Sequence, residues 1–210
     1  MQVRVKICGI TRLDDALAAV DAGADAIGFV FFPESPRYLP LHDAASIIQE
    51  LPPFITTVGV FVNEKPDQIE RMVIRTGVDL IQLYGDEQPH ARLLARRVIK
   101  AIRVKNRESL YPLGDYQGEV CAFLLDTYTP DVFGGTGQTF NWDIAIEAKK
   151  FGRIILAGGL TPDNVAEAVR QVKPYGVDVS SGVELSKGRK DQGKLKAFIE
   201  KAKSVQTIWE

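Results

Sequence analysis

Short β-branched apolar runs recur along the chain at Val3–Cys8, Ala26–Phe31, Thr56–Val62, Leu80–Leu83, Ile99–Val104, Val120–Leu125, Ile154–Ala157 and Val177–Ser180. Between them, apolar residues fall three and four apart, the spacing of one helical face. Leu13, Leu17 and Val20 form one such set, and Ala44, Ile47, Ile48 and Leu51 another. Ile69, Met72 and Val73, then Val165, Ala168, Val169 and Val172, then Leu195, Phe198 and Ile199 continue the series. Thr161-Pro162-Asp163 places a proline near the first turn of the helix over Val165–Val172. The stretch Lys105–Gly118 has little periodicity and contains Pro112 and Gly114, so a short or irregular crossover is expected there.

Strand–helix alternation implies a parallel sheet with helical crossovers. Eight units in 210 residues is about 26 residues each, near the minimum for a strand, a helix and two loops. Eight parallel strands can close into a (β/α)8 barrel, which removes both sheet edges. The open doubly wound sheet is the alternative. No Gly-x-Gly-x-x-Gly opens the first helix, which favours the barrel. The expected architecture is a single barrel domain over residues 1–210, with its active site on the loops after the strand C-termini.

Composition narrows the function. Hydrophobic residues are 45% and charged residues 25% of the chain, which is ordinary for a globular protein. A net charge of -1, from 26 basic and 27 acidic residues, argues against a nucleic-acid or anionic-membrane surface. No apolar run is long enough to span a bilayer and no leader opens the chain, so a cytoplasmic protein is expected. Two cysteines and two histidines give neither a disulfide scaffold nor a metal cluster, and no metal is expected. His42 and His90 follow Pro40 and Pro89 closely and read as surface residues, and Cys121 reads as packing.

The strand ends carry the candidate chemistry. In the first run, alternation sets Val3, Val5 and Ile7 toward the helices and Lys6 and Cys8 into the barrel. Lys6, about 6.6–6.8 Å back along the strand, would favour the Cys8 thiolate. The sixth run ends in Leu124-Leu125-Asp126, and an acid straight after an apolar strand needs a partner or a purpose. An ion pair with Lys6 is one such partner. A thiol and a carboxyl facing one mouth suit general acid/base work. The last two strands end in Gly158-Gly159 and in Asp178-Val179-Ser180-Ser181-Gly182, where barrels often bind phosphate. Arg37, in the proline-stiffened loop after strand two, can grip a carboxylate through two parallel donors. Gly134-Gly135-Thr136-Gly137 lacks the spacing and the lysine of a nucleotide loop and reads as a flexible cover over substrate.

Together these stretches resemble the phosphoribosylanthranilate isomerase family. The matching residues are Lys6-Ile7-Cys8-Gly9-Ile10-Thr11, Ser35-Pro36-Arg37-Tyr38, Gln82-Leu83, Leu125-Asp126, Gly134-Gly135-Thr136-Gly137, Ala157-Gly158-Gly159-Leu160 and Asp178-Val179-Ser180-Ser181-Gly182-Val183-Glu184. The resemblance implies a barrel that performs an Amadori rearrangement on a small phosphorylated substrate without a cofactor, as a monomer or homodimer. It implies Cys8 as general base and Asp126 as general acid. Arg37 would meet the anthranilate carboxylate, and Gln82, Gly158, Gly159, Asp178, Ser180, Ser181 and Gly182 would contact substrate. Two departures stand out: Tyr84 where the family often has histidine, and Asn141 where it often has aspartate. Neither is expected to touch the acid or the base. The rival readings are an aminoaldose isomerase of histidine biosynthesis, a phosphate-binding barrel without catalysis, and a flavin or nicotinamide barrel.

Overall fold

A computed structural model describes residues 2–89, 94–128 and 139–205. Eight parallel strands close into a barrel in chain order. They are β1 (Arg4–Cys8), β2 (Ala26–Val30), β3 (Thr56–Phe61), β4 (Leu80–Leu83), β5 (Arg97–Val104), β6 (Ala122–Thr127), β7 (Ile154–Leu156) and β8 (Gly176–Val179). Closure comes from β1 pairing with β8, with Lys6 opposite Asp178 and Ile7 opposite Val179. Every expected strand is present, and the open sheet is ruled out.

Strand alternation builds two cores. Val5, Ile7, Ile27, Phe29, Ile81, Leu83, Phe123, Leu125 and Val177 point outward and pack under the helices. Cys8, Val60, Tyr84, Ile99, Ala101, Leu124 and Ile155 fill the barrel itself. Gly28 faces the interior because β1 needs the room: a Cβ there would lie 2.9 Å from the Cys8 sulfur and 3.1 Å from Lys6 Nζ. Outside, Ile7 and Ile27 are fully buried. Truncating either to alanine should cost about 2–5 kcal/mol.

The helices are α1 (Leu13–Asp21), α2 (Leu41–Gln49), α3 (Pro66–Thr76), α4 (Trp142–Ala148), α5 (Val165–Val172) and α6 (Gln192–Ser204). Pro66 opens α3 and Gly77, in the left-handed region, ends it. Asn141 caps α4 by accepting from the Asp143 N–H at 3.0 Å, a job that aspartate does equally well. The β5–β6 crossover is a 3-10 helix over Arg107–Gly114, the irregular link that its proline and glycine predict. Among the described residues no α-helix joins β4 to β5. Helix α5 starts at Val165, later than Pro162 signals, because Thr161–Asn164 form a turn of their own. In that turn Asn164 accepts from the Thr161 N–H at 2.8 Å and donates to the Gly159 carbonyl at 2.9 Å. After β8 the chain makes a short hairpin, β9 (Glu184–Ser186) with β10 (Arg189–Lys190), before α6. No described helix is long and apolar enough to cross a membrane.

Candidate active site

Cys8 ends β1 and Asp126 stands one residue before the end of β6, at the C-terminal rim of the barrel cup, and each is 8% exposed. Lys6 and Asp178 act electrostatically on both. Lys6 Nζ donates to Asp178 Oδ1 at 2.8 Å inside the barrel. The ion pair anticipated between Lys6 and Asp126 is therefore not made, because the register of β1 on β8 puts Asp178 beside Lys6. Asp178 spends its carboxylate on that lysine while lining the cup.

The electrostatics of Cys8 also depart from expectation. Burial pushes its thiol above the ordinary value, Lys6 pulls the other way, and Asp178 adds to the rise. The net direction is up, because the charge of Lys6 is already matched by Asp178. Burial likewise raises Asp126, to about 6, against hydrogen bonds from Tyr84 and from the Thr127 N–H at 2.7 Å. The Tyr84 hydroxyl donates directly to Asp126 Oδ2. The departure from the family pattern at position 84 thus touches the candidate acid, contrary to expectation. Alternation from Gln82 places Tyr84 inward and was the signal for it.

A small cradle of glycines and serines lies alongside. Gly158, Gly159, Ser180, Ser181 and Gly182 line a cavity of about 30 Å³ together with Asp126 and Asp178. Gly158 and Gly159 have φ of 79° and 64°, a left-handed pair that residues with a Cβ adopt at a cost. Ser180 Oγ is buried without a hydrogen-bond partner among the described residues. Much larger cavities, of about 880 and 370 Å³, open at the opposite end of the barrel around Arg4, Cys121, Arg153 and Tyr175. The smaller of the two is lined by Asp25 and Cys121, but Asp25 is tied up in ion pairs with Arg4 at 2.7 Å and Lys203 at 2.9 Å. Cys121 is half-buried at that end and packs against the barrel interior, as expected.

Arg37 is held by a network that the sequence did not disclose. Its Nε and Nη2 each donate to Glu184 at 2.7 Å. Lys190 donates to Glu184 at 3.1 Å, to the Cys8 carbonyl at 2.7 Å and to the Ser180 carbonyl at 3.1 Å. Gly9, with φ of 70°, brings these parts together: a Cβ there would lie 2.5 Å from Arg37 Cδ and 2.9 Å from Ser180 Oγ. Hairpin β9–β10 thereby ties the end of β1, the β8 loop and Arg37 into one unit. Gln82 is 1% exposed inside the barrel, and its Oε1 has no partner among the described residues. His42 is exposed, as expected, while His90 and the glycine loop over 134–137 lie outside the described residues. Among the described residues no cluster of three His, Cys, Asp or Glu groups is placed to hold a metal ion.

The family model described as N-(5'phosphoribosyl)anthranilate (PRA) isomerase matches residues 5–201. The chain belongs to this family. The N-(5'-phosphoribosyl)anthranilate isomerase of Geobacter sulfurreducens is 60% identical over 202 residues, covering 96% of this chain and 98% of the relative. That of Citrifermentans bemidjiense is 58% identical over 206 residues, covering 98% and 99%. The crystal structure of phosphoribosyl anthranilate isomerase from Thermotoga maritima superimposes with a TM-score of 0.91 at 46% identity, over 97% of this chain and all of that one. A structure of a phosphoribosyl anthranilate isomerase in complex with reduced 1-(o-carboxyphenylamino)-1-deoxyribulose 5-phosphate superimposes at 0.88 and 43% identity, again over 97% of this chain and all of that one. Isomerase family and barrel agree.

Proposed function

We propose that this chain converts N-(5-phosphoribosyl)anthranilate to 1-(2-carboxyphenylamino)-1-deoxyribulose 5-phosphate in tryptophan biosynthesis, with Asp126 as general acid and Cys8 as general base. The observation that supports it is the C-terminal rim of the barrel: a carboxyl raised to about 6 lines a glycine–serine cradle, and the buried Cys8 thiol shares its electrostatic neighbours Lys6 and Asp178. Asp126, protonated, gives its proton to the furanose ring oxygen as the C1–O bond breaks. The anthranilate nitrogen supplies the electron pair and becomes a protonated Schiff base. This cation acidifies the C2 proton, and the Cys8 thiolate removes it to leave an enolamine that tautomerises to the ketone. The reacting form is the one in which the pair's single proton sits on Asp126 and Cys8 is the thiolate, and Lys6 with the arriving iminium charge favours that thiolate.

Phosphate held by Gly159, Ser180, Ser181 and their neighbours anchors one end of the substrate. Two of the five guanidinium donors of Arg37 are committed to Glu184, and the rest are left for the anthranilate carboxylate. Fixing both ends sets the sugar between acid and base. The chain works in the cytoplasm as a monomer or a homodimer. The direct test is turnover of N-(5-phosphoribosyl)anthranilate by the purified protein, followed as loss of anthranilate fluorescence. Cys8→Ala and Asp126→Asn should each cost on the order of 10²–10⁴ in rate. Near-normal turnover in either variant removes that residue from the reaction.

A further inference from the structure

Asp126 is clamped on several sides. Thr127 N–H holds Oδ1 at 2.7 Å and the Tyr84 hydroxyl holds Oδ2. Gly158 closes the third side, where a Cβ would lie 2.8 Å from Oδ1 and run into Thr127 Oγ1. Tyr84 is itself fixed: it is 8% exposed, packs inside the barrel in the same cluster as Cys8, and its N–H is bonded to the Phe61 carbonyl at 2.9 Å. Burial and the neighbouring Asp126 drive the phenol well above its ordinary range, so it stays a donor throughout the working pH range. The other charged groups around the carboxyl are Arg103, opposite it in register on β5, and the Lys6–Asp178 pair on β1 and β8.

We propose that Tyr84 is a positioning residue for the isomerase reaction: its hydroxyl holds the Asp126 carboxyl in the single orientation from which it meets the substrate. The inference rests on Asp126 being the general acid. Without the phenol, Oδ2 loses its donor in a nearly dry place and the carboxyl gains rotamer freedom. The phenol also lowers Asp126 against burial, so its loss raises the acid. Asp126 near 6 and Cys8 above the ordinary thiol value bracket a singly protonated enzyme, and kcat/KM rises with pH through the lower value. Removing the phenol therefore moves the rising limb up.

The experiment compares wild type, Tyr84→Phe and Asp126→Asn from pH 5 to 9. Tyr84→Phe should lower kcat roughly tenfold, the worth of one hydrogen bond to a charged group. KM should stay within about twofold, because a positioning loss falls on the transition state. The rising limb should move up by about one pH unit. If Asp126→Asn is inactive while Tyr84→Phe keeps kcat and limb unchanged, the proposal is overturned and the reading of Asp126 stands. An active Asp126→Asn overturns both. Should Tyr84→Phe not fold, Tyr84→Met serves as a second apolar side chain without a donor. A lowered kcat with the limb displaced upward in Tyr84→Met supports the proposal, and an unchanged kcat and limb overturn it.

Discussion

At Cys8 two forces oppose, and burial wins. The thiol sits behind Gly28 with Lys6 beside it, yet Lys6 is already bonded to Asp178 at 2.8 Å. A paired cation stabilises a thiolate less than a lone one does. The resting enzyme therefore carries a thiol, and in the proposed reaction its proton passes to Asp126, a transfer favoured as substrate brings its own positive charge. Iodoacetamide should modify Cys8 more slowly than free cysteine at pH 7.5, because the thiolate is the nucleophile. The rate should climb only above the ordinary thiol range of about 8.5. Peptide mapping by mass spectrometry reads this site by site, and modification of Cys8 faster than free cysteine would contradict the assignment. Alternation along β1 was enough to place Cys8 and Lys6 inside the barrel. The partner of Lys6 was not legible, because Asp178 is 172 residues away and only the closing register brings it near.

The elements divide in the same way. Eight β-branched runs gave eight strands, because a strand buried on both faces leaves a local compositional trace. Hairpin β9–β10 left none: its first strand has two exposed residues and its second is a pair of basic residues. Its work is done by Glu184 and Lys190, whose partners Arg37 and Cys8 lie at the far end of the chain. The loop after β8 shows how tightly such an element is fitted. Gly182 sits where a Cβ would run into the Leu160 carbonyl on the neighbouring β7 loop. Gly182→Ala must push the loops after β7 and β8, the proposed phosphate site, apart. The loss of one or two hydrogen bonds to a dianion should raise KM roughly tenfold, with kcat much less affected. Steady-state kinetics measures the split, and an unchanged KM would detach this loop from phosphate binding.

At the scale of the whole barrel, the proposed general acid is kept at the expense of stability. A carboxylate is poorly accommodated at Asp126, where burial lifts the group from 3.8 to about 6. The folded chain therefore keeps that proton up to about pH 6, while the unfolded chain releases it near its ordinary value. Between the two values the native state binds more protons, so stability falls as pH rises through that window and stays lower above it. The difference corresponds to about 3 kcal/mol at pH 8. Asparagine has nearly the same shape and no charge to bury. Asp126→Asn should then be more stable than wild type at pH 8, by up to ~3 kcal/mol, with the gain vanishing toward pH 4. Urea denaturation at the two pH values separates this from a uniform change in packing, which would shift both midpoints alike. A variant that is nearly inactive and yet stabilised only above pH 6 would mark Asp126 as a group kept for chemistry. Equal stabilities at pH 8 would mean that asparagine loses as much at the Tyr84 and Thr127 contacts as it gains by leaving no charge buried.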